Sequence, residues 1–226
     1  MCTVSWLHDD AGGYRLLCNR DEQRTRREAI EPQLELRHGI RFLAPIDGDR
    51  GGTWLSVNEH GVSVCLLNGA CLSGEVASSA VRVHGRSRGE VPIALADCRT
   101  AQEACLRLSA LDLTPFPAFT LAIAEPGLPV AVAEWTGREL AILLDGDRCL
   151  PLVSSSVDAA GVRAFRRAAF AEAASLDDFH RGHQRGPSAY STCMHRDDAQ
   201  TVSWSEVRVE DESVTLVYSA GAPCRG

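Results

Sequence analysis

The sequence predicts an α+β protein in which antiparallel β-sheets pack face to face and helices cover the outer faces. Two observations lead to this prediction. Strand-like segments follow one another as hairpins, a pattern typical of antiparallel sheets. Two helical groups are separated by a run of strands, so each group can cover one face of the packed sheets. A chain of 226 residues can bury such a core, and we expect a single domain over residues 1–226.

The first elements are two hairpins. Residues 2–8 and 14–19 are apolar segments joined by turn-forming residues, and residues 53–58 and 61–67 form a second pair around a polar turn. We expect the intervening residues to be a polar, arginine-rich connection.

The remaining elements alternate between helices and strands. Residues 87–111 have helical periodicity, and Thr100 and Glu103 have the spacing of a capping box that begins the second helix of this group. Residues 157–174 form the other helical group, and residues 177–187 are predicted to be a polar, mobile loop. Further strands are predicted at residues 118–124, 128–135, 139–144, 149–154, 199–204, 206–209 and 214–218.

The composition excludes several kinds of chemistry. All 23 residues counted as Lys plus Arg are arginine, so the chain has no lysine. A Walker phosphate loop, a pyridoxal enzyme and a hydrolase with a serine-lysine pair each require a lysine side chain. The formal net charge of -7 gives no reason to expect a nucleic-acid partner.

The chain reads as a cytosolic protein without a membrane span. Its first residues lack a basic segment, a long apolar run and a small-residue cleavage site, and no later window has the roughly 20 apolar residues of a membrane helix. The nine cysteines include no pair at the C-x-x-C spacing of zinc or redox sites. We therefore expect most of them to be small buried hydrophobes, and we predict no metal site and no cofactor.

Cys2 gains a second functional group once the residue before it is removed. Methionine aminopeptidases remove Met1 when the next residue is small, which leaves Cys2 with a free α-amino group. Such an amine has a pKa of about 7.7–8.0 and can accept a proton from a nearby thiol. One residue would then supply both nucleophile and base. The alternative is that a small residue stands at this position by chance.

Several short motifs occur together in the first ninety residues. They are the initial Met1-Cys2, Asn19-Arg20-Asp21-Glu22, Gly51-Gly52-Thr53-Trp54-Leu55, Asn68 and Ser87-Arg88-Gly89. In their order and spacing, the chain resembles the NRDE family, also called the transport and Golgi organisation protein 2 family. That family looks like a branch of the N-terminal nucleophile hydrolases, so the resemblance implies a four-layer αββα sandwich. It is also similar to the branch that contains penicillin V acylase and bile-salt hydrolases.

The resemblance implies catalytic roles for four residues. Cys2 would be the nucleophile, Arg20 would hold the thiolate and amine electrostatically, and Asp21 would accept a hydrogen bond from the α-amino group. The alternative for Arg20 and Asp21 is a surface ion pair. Asn68 would donate its amide to the oxyanion of a tetrahedral intermediate, and its alternative role is a turn residue before Gly69.

Three further residues are predicted to bind substrate: Asn19, Trp54 and Arg196. Trp54 either lines a pocket or packs in the core. Some related hydrolases carry an arginine in a Y-G-T-R string near the chain end, and Arg196 follows the corresponding segment at residues 190–193. Related hydrolases place a further asparagine after a later strand, at about residues 154–156, where this chain has serines.

Histidines and cysteines in the last quarter of the chain give further candidates. His180 and His183 are interpreted as part of the solvated loop rather than as metal ligands. Cys193 and His195 are interpreted as an ordinary strand end, although Cys193-Met194-His195 could also offer a ligand to haem iron.

These features predict an N-terminal cysteine amidohydrolase that attacks a linear, non-peptide amide bond and passes through a thioester acyl-enzyme. Its partner would be a small-molecule amide or acyl substrate. The alternative is a non-catalytic protein on the same fold that binds or traffics haem or acyl lipids, because the family that it resembles has been linked to both. The sequence does not indicate an oligomeric state.

Overall fold

The computed structural model describes residues 2–73, 85–184, 186–211 and 213–225. These residues form twelve β-strands and four α-helices. The helices are α1 (Glu90–Leu95), α2 (Ala101–Ala110), α3 (Ala159–Glu172) and α4 (Leu176–Arg181). The strands are β1 (Cys2–His8), β2 (Tyr14–Gln23), β3 (Ile30–Arg37), β4 (Ile40–Ile46), β5 (Leu55–Asn58), β6 (Ser63–Asn68), β7 (Phe119–Ala124), β8 (Ala131–Trp135), β9 (Leu140–Leu143), β10 (Leu152–Ser154), β11 (Ala199–Glu210) and β12 (Ser213–Ala220).

The strands form two antiparallel sheets that pack against each other. One sheet has the order β10-β1-β2-β11-β12 and the other has the order β3-β4-β5-β6-β7-β8-β9. Helices α1 and α2 contact the seven-stranded sheet, and helices α3 and α4 contact the five-stranded sheet. The predicted four-layer αββα sandwich is confirmed. No α-helix within these described ranges is long and apolar enough to cross a membrane.

Alternation along β1 shows how the sequence produces these layers. Cys2, Val4 and Trp6 belong to the apolar core between the two sheets. Thr3 and Ser5 point to the opposite face, because successive side chains of a strand alternate between faces. Both are fully buried under the helices that cover the five-stranded sheet. The hydroxyl groups on this covered face need partners, and they find them in the helix layer.

The connection between the first two hairpins contains two strands that the sequence did not predict. Strand β3 lies at the edge of the seven-stranded sheet, and β4 joins it to β5. The side chains of β3 give only a weak sequence signal for a strand, because Leu34 and Leu36 are 68% and 70% exposed instead of packing in the core. An edge strand with polar neighbours lacks the buried alternation on which strand prediction relies.

The predicted mobile loop at residues 177–187 is also wrong in its first part. Helix α4 begins after Ser175, whose hydroxyl accepts a hydrogen bond from the backbone N–H of Asp178 at 3.1 Å. His180 is fully buried in this helix rather than solvated. Its ring nitrogens lie 2.8 Å from Ser5 Oγ and 2.9 Å from Asn19 Oδ1, and burial lowers the pKa of His180 to about 3. The imidazole is therefore neutral and structural.

Strand β11 is continuous where the sequence predicted two shorter strands. Its pairing with β2 shifts between Thr201, which lies opposite Asp21, and Ser203, which lies opposite Arg20. Val202 is the extra residue of this β-bulge. Because a bulge changes the alternation by one position, Thr201 and Ser203 lie on opposite faces of the sheet.

Two glycines from separate motifs pack directly against each other. A Cβ atom added to Gly52 would lie 2.6 Å from the carbonyl carbon of Gly89, closer than real Cβ atoms approach. The backbone N–H of Thr53 donates to the carbonyl oxygen of Gly89 at 3.0 Å. These contacts join the segment before β5 to the beginning of α1, so both glycines are required by close backbone approach.

We expect Gly52→Ala to lower the free energy of unfolding by about 1–3 kcal/mol, because the new methyl group overlaps backbone atoms that cannot move aside. Urea denaturation followed by circular dichroism measures this change. Gly85→Ala is the control, since a Cβ at Gly85 would meet no atom of the described residues within 4 Å. Equal stabilities for the two variants would contradict the packing explanation.

Candidate active site

Cys2 lies at the start of β1 between two neighbouring strands. It pairs with Arg20 on β2 and with Ser154 on β10. The backbone nitrogen of Cys2 donates a hydrogen bond to Ser154 Oγ at 2.8 Å. This nitrogen becomes the α-amino nitrogen if the residue before Cys2 is removed. Ser154, where an amide side chain was expected, therefore contacts the atom that would act as the base.

The thiol of Cys2 is held in its protonated form. A hydrogen bond with Cys18 and burial of the side chain together raise the pKa of Cys2 well above its usual value. Cys2 is only 5% exposed. A thiol of this kind needs a nearby base before it can attack a carbonyl, because the thiolate is the nucleophile.

A cavity of about 260 Å³ opens at Cys2. Its described lining includes three residues predicted for the site, Arg20, Trp54 and Asn68, together with Arg88. Five arginines and two acidic residues contribute to this lining, which makes the cavity positively charged. They are Arg20, Arg26, Arg50, Arg86, Arg88, Glu22 and Asp47.

Arg20 is fixed by contacts on two sides. Its guanidinium donates a hydrogen bond to Asp47 and lies 3.6 Å from Glu22. The guanidinium carbon lies 4.4 Å from the centre of the Trp54 ring, within the range of a cation–π contact. Arg20 therefore shares the cavity with Cys2, but neighbouring carboxylates neutralise much of its charge.

Arg88 contributes a positive charge that is less neutralised. Its guanidinium donates to the carbonyl oxygen of Ala118 at 3.1 Å. Among the residues that the structure describes, no carboxylate lies within ion-pair distance of Arg88. Burial lowers the pKa of Arg88, and the electrostatic attraction of Cys2 opposes this effect. Arg88 belongs to the Ser87-Arg88-Gly89 motif, but the sequence analysis assigned this arginine no role.

Asn68 and Trp54 offer polar donors to this region. Asn68 ends β6 and lines both the cavity at Cys2 and a neighbouring cavity of about 580 Å³. The next residue, Gly69, has a φ of 88°, so Asn68 also precedes a turn. The indole nitrogen of Trp54 is buried and has no hydrogen-bond partner in the described parts of the chain. A buried donor of this kind can be satisfied by a bound acceptor.

Asp21 lies on the opposite face of β2 from Arg20, under the helices. It is fully buried, so the alternative of a surface ion pair is wrong. Thr201 Oγ1 donates to the Asp21 carboxylate at 2.6 Å, and Arg166 lies 3.5 Å from it. Arg166 also donates a hydrogen bond to Thr3 Oγ1. Burial raises the pKa of Asp21 and lowers the pKa of Arg166, and the attraction between them opposes both effects.

Sequence reasoning missed Arg166, although a signal exists. Val162, Arg166 and Ala169 form the buried stripe of α3 at helical spacing. An arginine within an apolar stripe needs a buried partner, because an unpaired charge in the interior is costly. That partner is Asp21, 145 positions earlier in the chain.

Two residues predicted to bind substrate, Asn19 and Arg196, are not among the described residues that line the cavity at Cys2. Asn19 is fully buried on the helix side, and its amide donates to the carbonyl oxygens of His180 at 2.8 Å and Thr192 at 3.0 Å. The prediction that Asn19 binds substrate is corrected, since its polar atoms are already engaged. Arg196 lines the neighbouring cavity rather than the one at Cys2, and it forms an ion pair with Asp198 at 2.6 Å.

A larger cavity, of about 640 Å³, lies far from Cys2. It is lined by Gly12 and Gly13, in the turn at the other end of β1. A seven-residue strand is about 20 Å long, so these two ends of β1 are well separated. Because the larger cavity contains no cysteine, we place the candidate site at the smaller one.

Comparisons with known proteins agree with this architecture. The sequence model of a family described as "Transport and Golgi organisation 2" matches residues 1–141. No curated protein matches the chain. Among solved structures, penicillin V acylase from Agrobacterium tumefaciens is similar with a TM-score of 0.53 and 9% identity, over 96% of this chain and 86% of that chain.

Two further solved structures have the same fold. The Caenorhabditis elegans orthologue of N-acylethanolamine-hydrolyzing acid amidase is similar with a TM-score of 0.61 and 15% identity, over 91% of this chain and 92% of that chain. The C2A mutant of conjugated bile acid hydrolase from Clostridium perfringens is similar with a TM-score of 0.51 and 12% identity, over 97% and 92%. At these identities, the likeness supports the fold alone.

Proposed function

The chain belongs to the Transport and Golgi organisation 2 family, and from this premise we propose that it is an N-terminal cysteine amidohydrolase. The supporting observation is the position of Cys2. Its thiol opens into a positively charged cavity, and its backbone nitrogen is held by Ser154 Oγ at 2.8 Å. The fold shared with an acylase, an amidase and a hydrolase is compatible with this proposal.

The proposed first step forms a thioester. The α-amino group of Cys2, freed by removal of the preceding residue, accepts the thiol proton as the sulfur attacks the amide carbonyl. Asn68 donates its amide to the developing oxyanion. The C–N bond then breaks, and the protonated amine returns its proton to the departing nitrogen. Water next attacks the thioester with the same amine as base, which releases the acid and restores the thiol.

The remaining charged residues hold these groups in place. Arg88 stabilises the thiolate, since it interacts electrostatically with Cys2 and has no carboxylate partner among the described residues. Arg20 is kept over Trp54 by Asp47 and forms one wall of the cavity. The excess of arginines favours a small amide whose departing or acyl part carries a negative charge.

Labelling of primary amines tests the proposed base. The chain has no lysine, so removal of the preceding residue leaves the Cys2 α-amino group as the only primary amine. We expect one label per chain, located at Cys2 by peptide mass spectrometry. The rate should titrate away from the ordinary α-amino pKa of about 7.7–8.0, because Ser154 Oγ holds this nitrogen and the buried carboxylate of Asp21 acts electrostatically on the same residue.

Intact-mass measurement completes this test. A mass that includes Met1 would place the amine on a different residue and remove the proposed base. A label at Cys2 that titrates as an ordinary exposed amine would count against an organised site.

A further inference from the structure

Four metal-binding side chains meet outside the proposed active site. His183, Cys193, His195 and Cys224 each offer one nitrogen or sulfur atom, and all four atoms lie within 4.8 Å of one another. Cys193 is buried, the two histidines are half-buried, and Cys224 is exposed. They come from three separate segments: His183 follows α4 by two residues, Cys193 and His195 lie between α4 and β11, and Cys224 follows β12.

The distances fit a tetrahedral ion. His195 Nε2 lies 3.5 Å from Cys193 Sγ and 3.4 Å from Cys224 Sγ. In a tetrahedral zinc site with Zn–S of about 2.3 Å and Zn–N of about 2.0 Å, a sulfur and a nitrogen ligand are separated by about 3.6 Å. Because all four donor atoms lie within 4.8 Å of one another, small movements of these side chains would bring them to bonding distance of one central ion.

The surroundings of the two histidines also indicate a bound ion at the centre of this cluster. Nε2 of His183 is buried and makes no hydrogen bond within the described residues. The ring centres of His183 and His195 are 5.0 Å apart. A buried ring nitrogen without a partner is uncommon, and a metal ion beside it would accept its lone pair.

From these contacts we propose that His183, Cys193, His195 and Cys224 bind one zinc ion in a tetrahedral, structural site. Two thiolates and two imidazoles are ligands that favour zinc over magnesium or calcium. Four protein ligands leave no open position for water or substrate, which is the arrangement of structural rather than catalytic zinc. Donors that converge this closely leave no space for a flat macrocycle, so these contacts do not favour haem at Cys193 and His195.

The ion would fix a segment that supports the strand next to Cys2. The carbonyl oxygen of Thr192 accepts the Asn19 amide at 3.0 Å. On the other side of Cys193, the backbone N–H of Met194 donates to Thr201 Oγ1 at 2.8 Å, and this hydroxyl donates to Asp21 at 2.6 Å. Zinc at Cys193 would therefore hold in place two contacts to the buried polar residues of β2.

The spacing of these ligands explains why the sequence predicted no metal site. Positions 183, 193, 195 and 224 contain no C-x-x-C pair, and the last ligand is 29 residues beyond the third. Only the fold brings the chain end beside His195.

Metal content and cobalt spectroscopy test the site directly. The full chain, purified without a histidine tag and with a reducing agent, should contain one zinc ion per chain by inductively coupled plasma mass spectrometry. After zinc is removed, Co²⁺ should produce the strong visible absorption and the sulfur-to-metal charge-transfer band of tetrahedral thiolate ligation.

Zinc affinities of single cysteine variants show whether the metal binds at this cluster or at other cysteines. Cys224→Ser should weaken zinc affinity by more than about 10- to 100-fold, the loss caused by removing a group that only supports a ligand. This variant should fold, because Cys224 is exposed. Cys149→Ser is the matched control, since Cys149 lies outside the cluster. Absence of tetrahedral Co²⁺ absorption in the unmodified chain, or an equal loss in both variants, would overturn the proposal.

Discussion

Cys2→Ala is expected to abolish amide hydrolysis. Loss of a covalent nucleophile lowers kcat by on the order of 10⁴-fold or more, because Cys2 supplies the only thiol among the described residues that line the cavity. The substrates should be linear amides that carry a carboxylate, which match the positive cavity. Initial rates of acid release, measured by mass spectrometry, provide the comparison.

The matched control for this variant is Cys105→Ala. Cys105 is buried in α2 and lies outside the cavity at Cys2. We expect it to retain activity. Acid-quenched reactions of the unmodified protein should also contain an acyl group on the peptide that begins with Cys2. Hydrolysis that persists at the original rate in Cys2→Ala would exclude the thioester mechanism.

Arg166→Met is expected to cause the largest loss of stability, about 3–5 kcal/mol near neutral pH. The methionine retains much of the side-chain volume, but it removes the guanidinium whose attraction opposes the burial of the Asp21 carboxylate. Thr3 and the carbonyl oxygen of Tyr190 also lose a hydrogen bond from the guanidinium. Urea denaturation at several pH values measures the free energy of unfolding.

The destabilisation should depend on pH in a defined direction. Burial already raises the folded-state pKa of Asp21 above its reference value of 3.8, and loss of Arg166 raises it further. A raised carboxyl pKa means that the folded state binds more protons than the unfolded state above pH 3.8. Stability therefore falls as pH rises through this window, and it falls further in the variant. The difference between the two proteins should be smallest near pH 4 and increase by up to about 1.4 kcal/mol per pH unit.

The double variant Asp21→Asn/Arg166→Met distinguishes charge from packing. It removes both charges, so it should recover part of the stability and lose the pH dependence of the single variant. A single-variant effect that is constant from pH 4 to pH 7 would show that lost packing, and not the buried carboxylate, causes the destabilisation.

Local patterns allowed much of the fold to be predicted. The hairpin of β1 and β2 appears as two apolar segments around turn residues, whereas the site roles of Cys2 and Arg20, which the structure pairs on these strands, came from the family resemblance. The contacts of Ser154 with Cys2 and of Arg166 with Asp21 could not be predicted, because each joins residues more than 140 positions apart. His180 was misassigned because a polar segment conceals the buried face of a short helix. Long-range contacts of this kind depend on how the layers pack, which periodicity does not specify.

The bulge at Val202 also affects how this strand can change during evolution. Deletion of Val202 alone would leave Thr201 opposite Asp21 and Ser203 opposite Arg20, because it removes the extra residue of the bulge and restores regular pairing. Deletion of a residue away from the bulge would instead move every side chain on one side of the deletion to the other face. We therefore expect homologues to keep the length of β11, except that they can lack the residue at position 202. An alignment gap at that position preserves both faces of the strand.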